Sequence, residues 1–94
     1  MPSVIRVGDL SVGHDGYPPT PVLDGTTDFL VNGKAVALVG SKWQDHRKGK
    51  HHHSGVSTVG STTFLVNGVG VVRTGDAIND GDHAGAGSPD FICG

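Results

Sequence analysis

Apolar positions along this chain come in short runs that alternate with polar ones, at the period of strands rather than helices. The runs ending in Phe29-Leu30-Val31 and Phe64-Leu65-Val66 are led by threonine, and in each Phe and Val alternate to one face. Asn32-Gly33 and Asn67-Gly68 follow them directly. That dipeptide supplies the two positive-φ residues of a tight hairpin turn. Return strands are predicted over residues 35–39 and 69–73. A Gly-Ser or Gly-Asp pair ends each return strand, and a long polar loop comes next.

The two hairpins are copies of one unit. Gly25-Thr-Thr-Asp-Phe-Leu-Val-Asn-Gly33 recurs 35 residues later as Gly60-Ser-Thr-Thr-Phe-Leu-Val-Asn-Gly68. A truncated third copy is Gly87-Ser-Pro-Asp-Phe-Ile-Cys-Gly94, which puts Phe29, Phe64 and Phe91 in register. A second element recurs as Arg6-Val-Gly-Asp9, Leu38-Val-Gly-Ser41 and Arg73-Thr-Gly-Asp76. The third hairpin is cut by the chain ends. Its outgoing strand is 89–93, and Ser3-Val-Ile-Arg-Val-Gly-Asp9 stands in for its return strand. Strand 3–8 should therefore pair with 89–93. The predicted fold is all-β: three pseudo-threefold β-hairpins closed into a ring by the N- and C-terminal strands, with no long free edge. Such a body suits a trimeric partner, because each hairpin can face one subunit.

Composition sharpens this picture. A chain of 94 residues is expected to be one domain over 1–94. It has 16 Gly, roughly twice the usual share, 13 Val and no Glu. A net charge of −2 with 17% charged residues does not suit a nucleic-acid binder. No apolar run approaches the roughly 18 residues of a membrane helix, and no signal-peptide pattern is present. Only 35% of residues are hydrophobic, so the core is thin and a staple is expected. The single Cys cannot form an internal disulfide.

The six His suggest what the staple is. All lie in the polar loops, at the end opposite the Asn-Gly turns. His14 is in loop one, His46 and His51 to His53 in loop two, and His83 in loop three. If the loops converge on the pseudo-axis, their imidazoles meet there. Neutral imidazole is a good zinc ligand, and a tetrahedral site takes four ligands. His14 and His46 share an offset, five residues after Asp9 and Ser41. His53 lies seven residues before Gly60, where loop two turns back to the axis. His83 is the only imidazole of loop three. His51 and His52 follow the basic stretch Arg47-Lys-Gly-Lys50 and read equally well as a solvated face. Cys93 aligns with Val31 and Val66, about seven strand residues or roughly 20 Å from the loop end at ~3.3 Å each. It reads as a buried core thiol. Hydrolase motifs are absent and a chain this small cannot wrap a sizeable pocket, so no catalytic residues are expected.

Taken together, Arg6-Val-Gly-Asp9, Gly13-His14-Asp-Gly-Tyr-Pro-Pro19, Leu65-Val-Asn-Gly68, Arg73-Thr-Gly-Asp76 and Gly87-Ser-Pro-Asp-Phe91 resemble the PAAR-repeat family over essentially the whole chain. The places of the family's naming tetrapeptide are taken by Ala35-Val-Ala-Leu38, Gly70-Val-Val-Arg73 and Ser3-Val-Ile-Arg6. The resemblance implies a small cone, with a metal near its vertex, that caps the trimeric β-helical central spike (VgrG-like) of a contractile injection machine. One copy per spike trimer would sharpen it for piercing the target cell envelope. Localisation would be a phage virion tail tip, or the tip of a type VI secretion apparatus. The alternative is a metal-binding adaptor module that docks a separate effector or toxin onto the spike. No fused toxin domain is expected. The family binds one zinc ion through three His and one Cys. His14, His46 and His53 match the His positions, and the Cys position here is Asp80. His83 is the expected fourth ligand, with Asp80 and Cys93 as alternatives.

Overall fold

The computed structural model describes residues 1–94 and contains strands but no helix. Three antiparallel hairpins hold the regular strands: β1 (Thr26–Val31) with β2 (Lys34–Val36), β3 (His46–Lys48) with β4 (His51–His53), and β5 (Leu65–Val66) with β6 (Val69–Gly70). The first and third are the expected Asn-Gly hairpins. Asn32 (φ 53°), Gly33 (76°), Asn67 (52°) and Gly68 (80°) all adopt the left-handed backbone that such turns require. The β3–β4 hairpin lies within what the sequence suggests is a polar loop.

The return strands pair with their own hairpins for fewer residues than predicted, because they turn to face one another. Arg6 pairs with Val36, Leu38 with Val71 and Val4 with Arg73, all antiparallel. At the centre the hydrogen bonds form a closed triangle. The Ile5 N–H donates to the Val72 carbonyl, Val72 to Ala37 and Ala37 to Ile5, each at 2.9 Å. These are the third residues of the three equivalent tetrapeptides. All three side chains are buried, which explains why the positions accept only small or branched apolar residues. The terminal strands close the ring as expected. Ser3 pairs with Ile92, Val4 N–H donates to the Phe91 carbonyl (3.0 Å) and Cys93 N–H to that of Pro2 (3.1 Å).

The recurring Arg-x-Gly-Asp element is a turn that ends each return strand. Asp9 accepts from the Arg6 N–H (2.7 Å) and guanidinium (2.9 Å), and Asp76 does the same for Arg73 (2.8 and 3.0 Å). In the middle copy Leu38 replaces arginine, and the Ser41 hydroxyl accepts the Leu38 N–H at 3.0 Å. No cation is present there, so no carboxylate is needed.

Two apolar layers stack along the long axis of a body measuring 38 × 23 × 21 Å, whose two short extents are nearly equal as threefold symmetry requires. One layer holds Ile5, Val22, Ala37, Trp43, Val72, Ile78 and Ala84. The other, at the hairpins, holds Val4, Val31, Val36, Val66, Val71 and Cys93, with Phe29, Phe64 and Phe91 packed on it. Centroids of the three rings lie 5.2 to 6.0 Å apart. At the turns the hairpins are laced in a cycle. The Asn32 amide donates to Asp90 (2.9 Å) and that of Asn67 to Asp28 (2.6 Å), while the Gly94 carbonyl accepts from the Ser61 and Thr63 hydroxyls. Bonds from Asn32 and Ser88 hold the Asp90 carboxyl below the usual carboxylate range.

The polar loops are themselves narrow antiparallel arms. Arm 1 (10–21) is tied by Leu10–Pro21 and His14–Tyr17 pairs and turns at Asp15-Gly16 (φ 46° and 84°). Arm 2 (42–56) starts at the Lys42–Val56 pair and continues into β3 and β4. Arm 3 (77–83) is tied by Ala77–His83 and turns at Asp80-Gly81 (Gly81 φ 97°). Ser11–Ala84, Val22–Trp43 and Ser57–Ile78 pairs join the arms around the axis. Prolines and single bridges leave no period-2 run, so these pairings leave little trace in the hydrophobic pattern.

Candidate metal centre

Each arm delivers a donor to the axis. His14 directly precedes the Asp15-Gly16 turn of arm 1, and Asp80 opens the Asp80-Gly81 turn of arm 3. His46 begins β3 and His53 ends β4, directly opposite each other in the ladder. Alternation along β4 turns His53 inward and leaves His52 outside, where it meets Asp45 at 3.0 Å. His51 is also exposed.

One ligand atom from each of His14, His46, His53 and Asp80 lies within 4.8 Å of all the others. The Nε2 atoms of His14 and His53 are 3.0 Å apart. Asp80 Oδ2 is 3.4 Å from Nε2 of both His46 and His53, and 3.9 Å from that of His14. Ligand atoms around a four-coordinate ion at about 2.0–2.1 Å lie about 3.4 Å apart, so the cluster has the span of a tetrahedral site.

The surrounding contacts aim these atoms. His46 Nδ1 donates to the Pro18 carbonyl at 2.7 Å, which leaves the Nε2 lone pair facing the cluster. That Nε2 is buried and has no hydrogen-bond partner. An unpartnered buried nitrogen is costly unless something occupies its lone pair, and a cation does so. Asp80 Oδ1 accepts the Asp82 N–H at 3.0 Å, which fixes the carboxylate. Tyr17 stacks on His53 with centroids 4.0 Å apart, and its ring lies 5.0 Å from that of His46 and 5.2 Å from that of His14. Gly55 is required on arm 2. A Cβ there would stand 2.9 Å from the Asp80 carboxylate and collide with Ile78. The four residues can therefore hold a metal ion.

His83 is not brought into this group. It is exposed, its N–H donates to Asp82 Oδ1 at 2.7 Å, and its backbone pairs with Ala77. Three residues separate it from Asp80, which places it on the returning side of arm 3 while Asp80 occupies the turn. Cys93 is in the hairpin layer, at the level of Val31 and Val66. Burial pushes its thiol pKa up, against a smaller opposing pull from Arg73. Cys93→Ser is expected to leave metal content unchanged. At neutral pH the native thiol should react with iodoacetamide more than about tenfold slower than after unfolding. Metal loss in the serine variant would put the sulfur in the site.

The sequence pattern assigns no role to Gly55, and Tyr17 and Pro18 enter it only as part of the motif from Gly13 to Pro19. Asp15-Gly16 and Asp80-Gly81 are the signals that could have located two of the arm tips, since Asp-Gly marks tight turns as Asn-Gly does.

The family model described as the PAAR motif matches residues 12–86, a span that contains all four clustered residues. A comparison with curated proteins found no match.

Proposed function

Because the chain belongs to the PAAR-motif family, which is associated with the spike tips of type VI secretion systems and other contractile machines, we propose that it caps a trimeric β-helical spike. It seats by its hairpin-turn end, one copy per trimer, and presents the clustered end to the target envelope. The same geometry serves a phage tail tip and a type VI tip. The role is mechanical, with no catalytic residue.

One observation carries this reading: the outer surface repeats in threes at the hairpins. Leu30, Leu65 and Ile92 occupy equivalent places on the three outgoing strands and are 57%, 50% and 52% exposed. Apolar side chains left out at threefold-related positions match a threefold partner, and burying them would complete what the thin core lacks. The opposite end supports the same polarity. His14, His46, His53 and Asp80 form a closed nitrogen-and-carboxylate set that suits zinc. When bound, zinc supplies a cross-link among three arms. Those arms already converge through Ser11–Ala84, Val22–Trp43 and Ser57–Ile78, so the end resists splaying under load.

The test is stoichiometry. Mixed with its spike trimer, the protein should give a complex with the mass of three spike chains plus one of this chain by light scattering. Leu30→Asp with Leu65→Asp should abolish that complex while metal content stays unchanged. Three copies per trimer, or a complex insensitive to the double substitution, would overturn the docking end.

A further inference from the structure

We propose that the β3–β4 hairpin is a contact site for the phosphate headgroups of an anionic lipid bilayer. Arm 2 is built differently from the other two. In arms 1 and 3 the donor residue adjoins or opens the turn. In arm 2 the donors are His46 and His53, and the ladder continues through Arg47–His52 and Lys48–His51 before turning at Gly49 (φ 61°). Three further residues at ~3.3 Å each carry the turn about 10 Å along the arm beyond the donors. The core end of this arm is fixed by Lys42–Val56 and by buried Trp43, so its free end is the turn. The hairpin leans on arm 1: a Cβ at Gly16 would lie 3.2 Å from Lys48 Cδ, so the lysine stem passes over the Asp15-Gly16 turn.

This overshooting hairpin carries three of the chain's five Lys and Arg that lack an acidic partner. Of the seven Lys and Arg, Arg6 and Arg73 are paired with Asp9 and Asp76. Lys34 is at the opposite end, beside the Asn32-Gly33 turn, and Lys42 stands at the core end of arm 2, opposite Val56 in the ladder. Arg47, Lys48 and Lys50 lie within four consecutive residues, are all exposed, and have no acidic partner within 4.0 Å. The acidic side chain on this arm, Asp45, faces His52. Like charges crowded on one short hairpin repel one another and disfavour its formation. A negatively charged surface relieves that repulsion. Each cation near such a surface strengthens attachment, and together three account for roughly a hundredfold in partition. A chain of net charge −2 is a poor general polyanion binder, so the contact must be local to this hairpin. The inference rests on the hairpin alone and is independent of what the opposite end docks to.

The experiment uses the full protein at pH 7.5 and low salt, with sedimented vesicles. Vesicles containing phosphatidylglycerol in phosphatidylcholine should retain it, and phosphatidylcholine vesicles should not. Raising salt should release it. The variant Arg47→Gln/Lys48→Gln/Lys50→Gln should lose roughly a hundredfold in partition, with melting temperature and metal content as in the native protein. Lys34→Gln should bind as the native chain does. Equal partition of native and triple variant, retention by neutral vesicles, or tighter binding to a DNA duplex than to the anionic vesicles would each overturn the proposal.

Discussion

Removing the metal is expected to lower the melting temperature by roughly 15–30 °C. An ion present at a thousandfold over its dissociation constant adds about 4 kcal/mol to stability. In a domain of this size each kcal/mol is worth about 4–8 °C. The arms justify a large effect. Beyond the layer that holds Trp43, they are joined by single bridges, a few hydrogen bonds such as His46 to the Pro18 carbonyl, the Tyr17 ring and the four clustered side chains. His46→Ala should reproduce the chelated protein, since it removes the buried Nε2 that has no other partner. Chelator should then lower its melting point no further. The ligand set is tested by a pair of substitutions. Asp80→Asn should weaken metal retention, because the amide presents no charge to the cation, whereas His83→Ala should leave one zinc per chain by elemental analysis. The reverse outcome would restore His83 as the fourth ligand. Native protein that contains no metal and melts alike with and without chelator would remove the site.

The fold was more legible than the arms, for a physical reason. Hairpins whose turns demand positive φ at both residues write Asn-Gly into the chain, and Asn32-Gly33 and Asn67-Gly68 say so without ambiguity. Ring closure was legible from symmetry, because Ser3-Val-Ile-Arg6 occupies the place of Gly70-Val-Val-Arg73 and their backbones do pair. The arms obey no such code. Apart from the short β3–β4 ladder their strands are joined by single bridges, arm 1 passes through Pro18, Pro19 and Pro21, and the buried Trp43 stands in the sequence between polar residues. Alternation is the signal that reveals strands, and it needs several consecutive pairs to be seen.

The same contrast runs through the site. His14 and His46 share an offset from Asp9 and Ser41, and that offset is physical: both arms leave equivalent turns and reach the axis after the same length of chain. His53 follows from being opposite His46 in the ladder. The third arm is shorter and reaches the axis at its turn, where the residue is Asp80. Choosing His83 gives weight to residue type over position. The structure instead brings Asp80 to the group, and the turn at Gly81 (φ 97°) reverses the chain before His83. The partners that aim the donors, the Pro18 carbonyl and the Tyr17 ring, come from arm 1 and act on arm 2. Such contacts between arms are set by packing and leave no trace in local spacing.

Trp43→Ala is expected to cost about 3–5 kcal/mol, a large share of the roughly 5–15 kcal/mol that holds a domain of this kind. Trp43 is the largest fully buried side chain, 1% exposed, and contacts the layer built on Ile5, Ala37 and Val72. Its Nε1–H donates to the Ser57 hydroxyl at 2.8 Å, which ties the start of arm 2 to the residue just past its end. Truncation leaves a cavity in that layer that the surrounding chain can fill only by moving inward. Trp43→Phe separates the two contributions. It keeps most of the ring's bulk and loses the hydrogen bond, so about 1–2 kcal/mol is expected. Melts in chelator distinguish core from metal. The Trp43→Ala deficit should persist there, because it originates in the layer below the cluster. In the metal-loaded protein the deficit should be larger still, since His46 stands three residues along the same arm and a relaxed arm holds it less rigidly. A Trp43→Ala protein that melts within about 3 °C of the native one in chelator would show that the layer does not depend on this side chain.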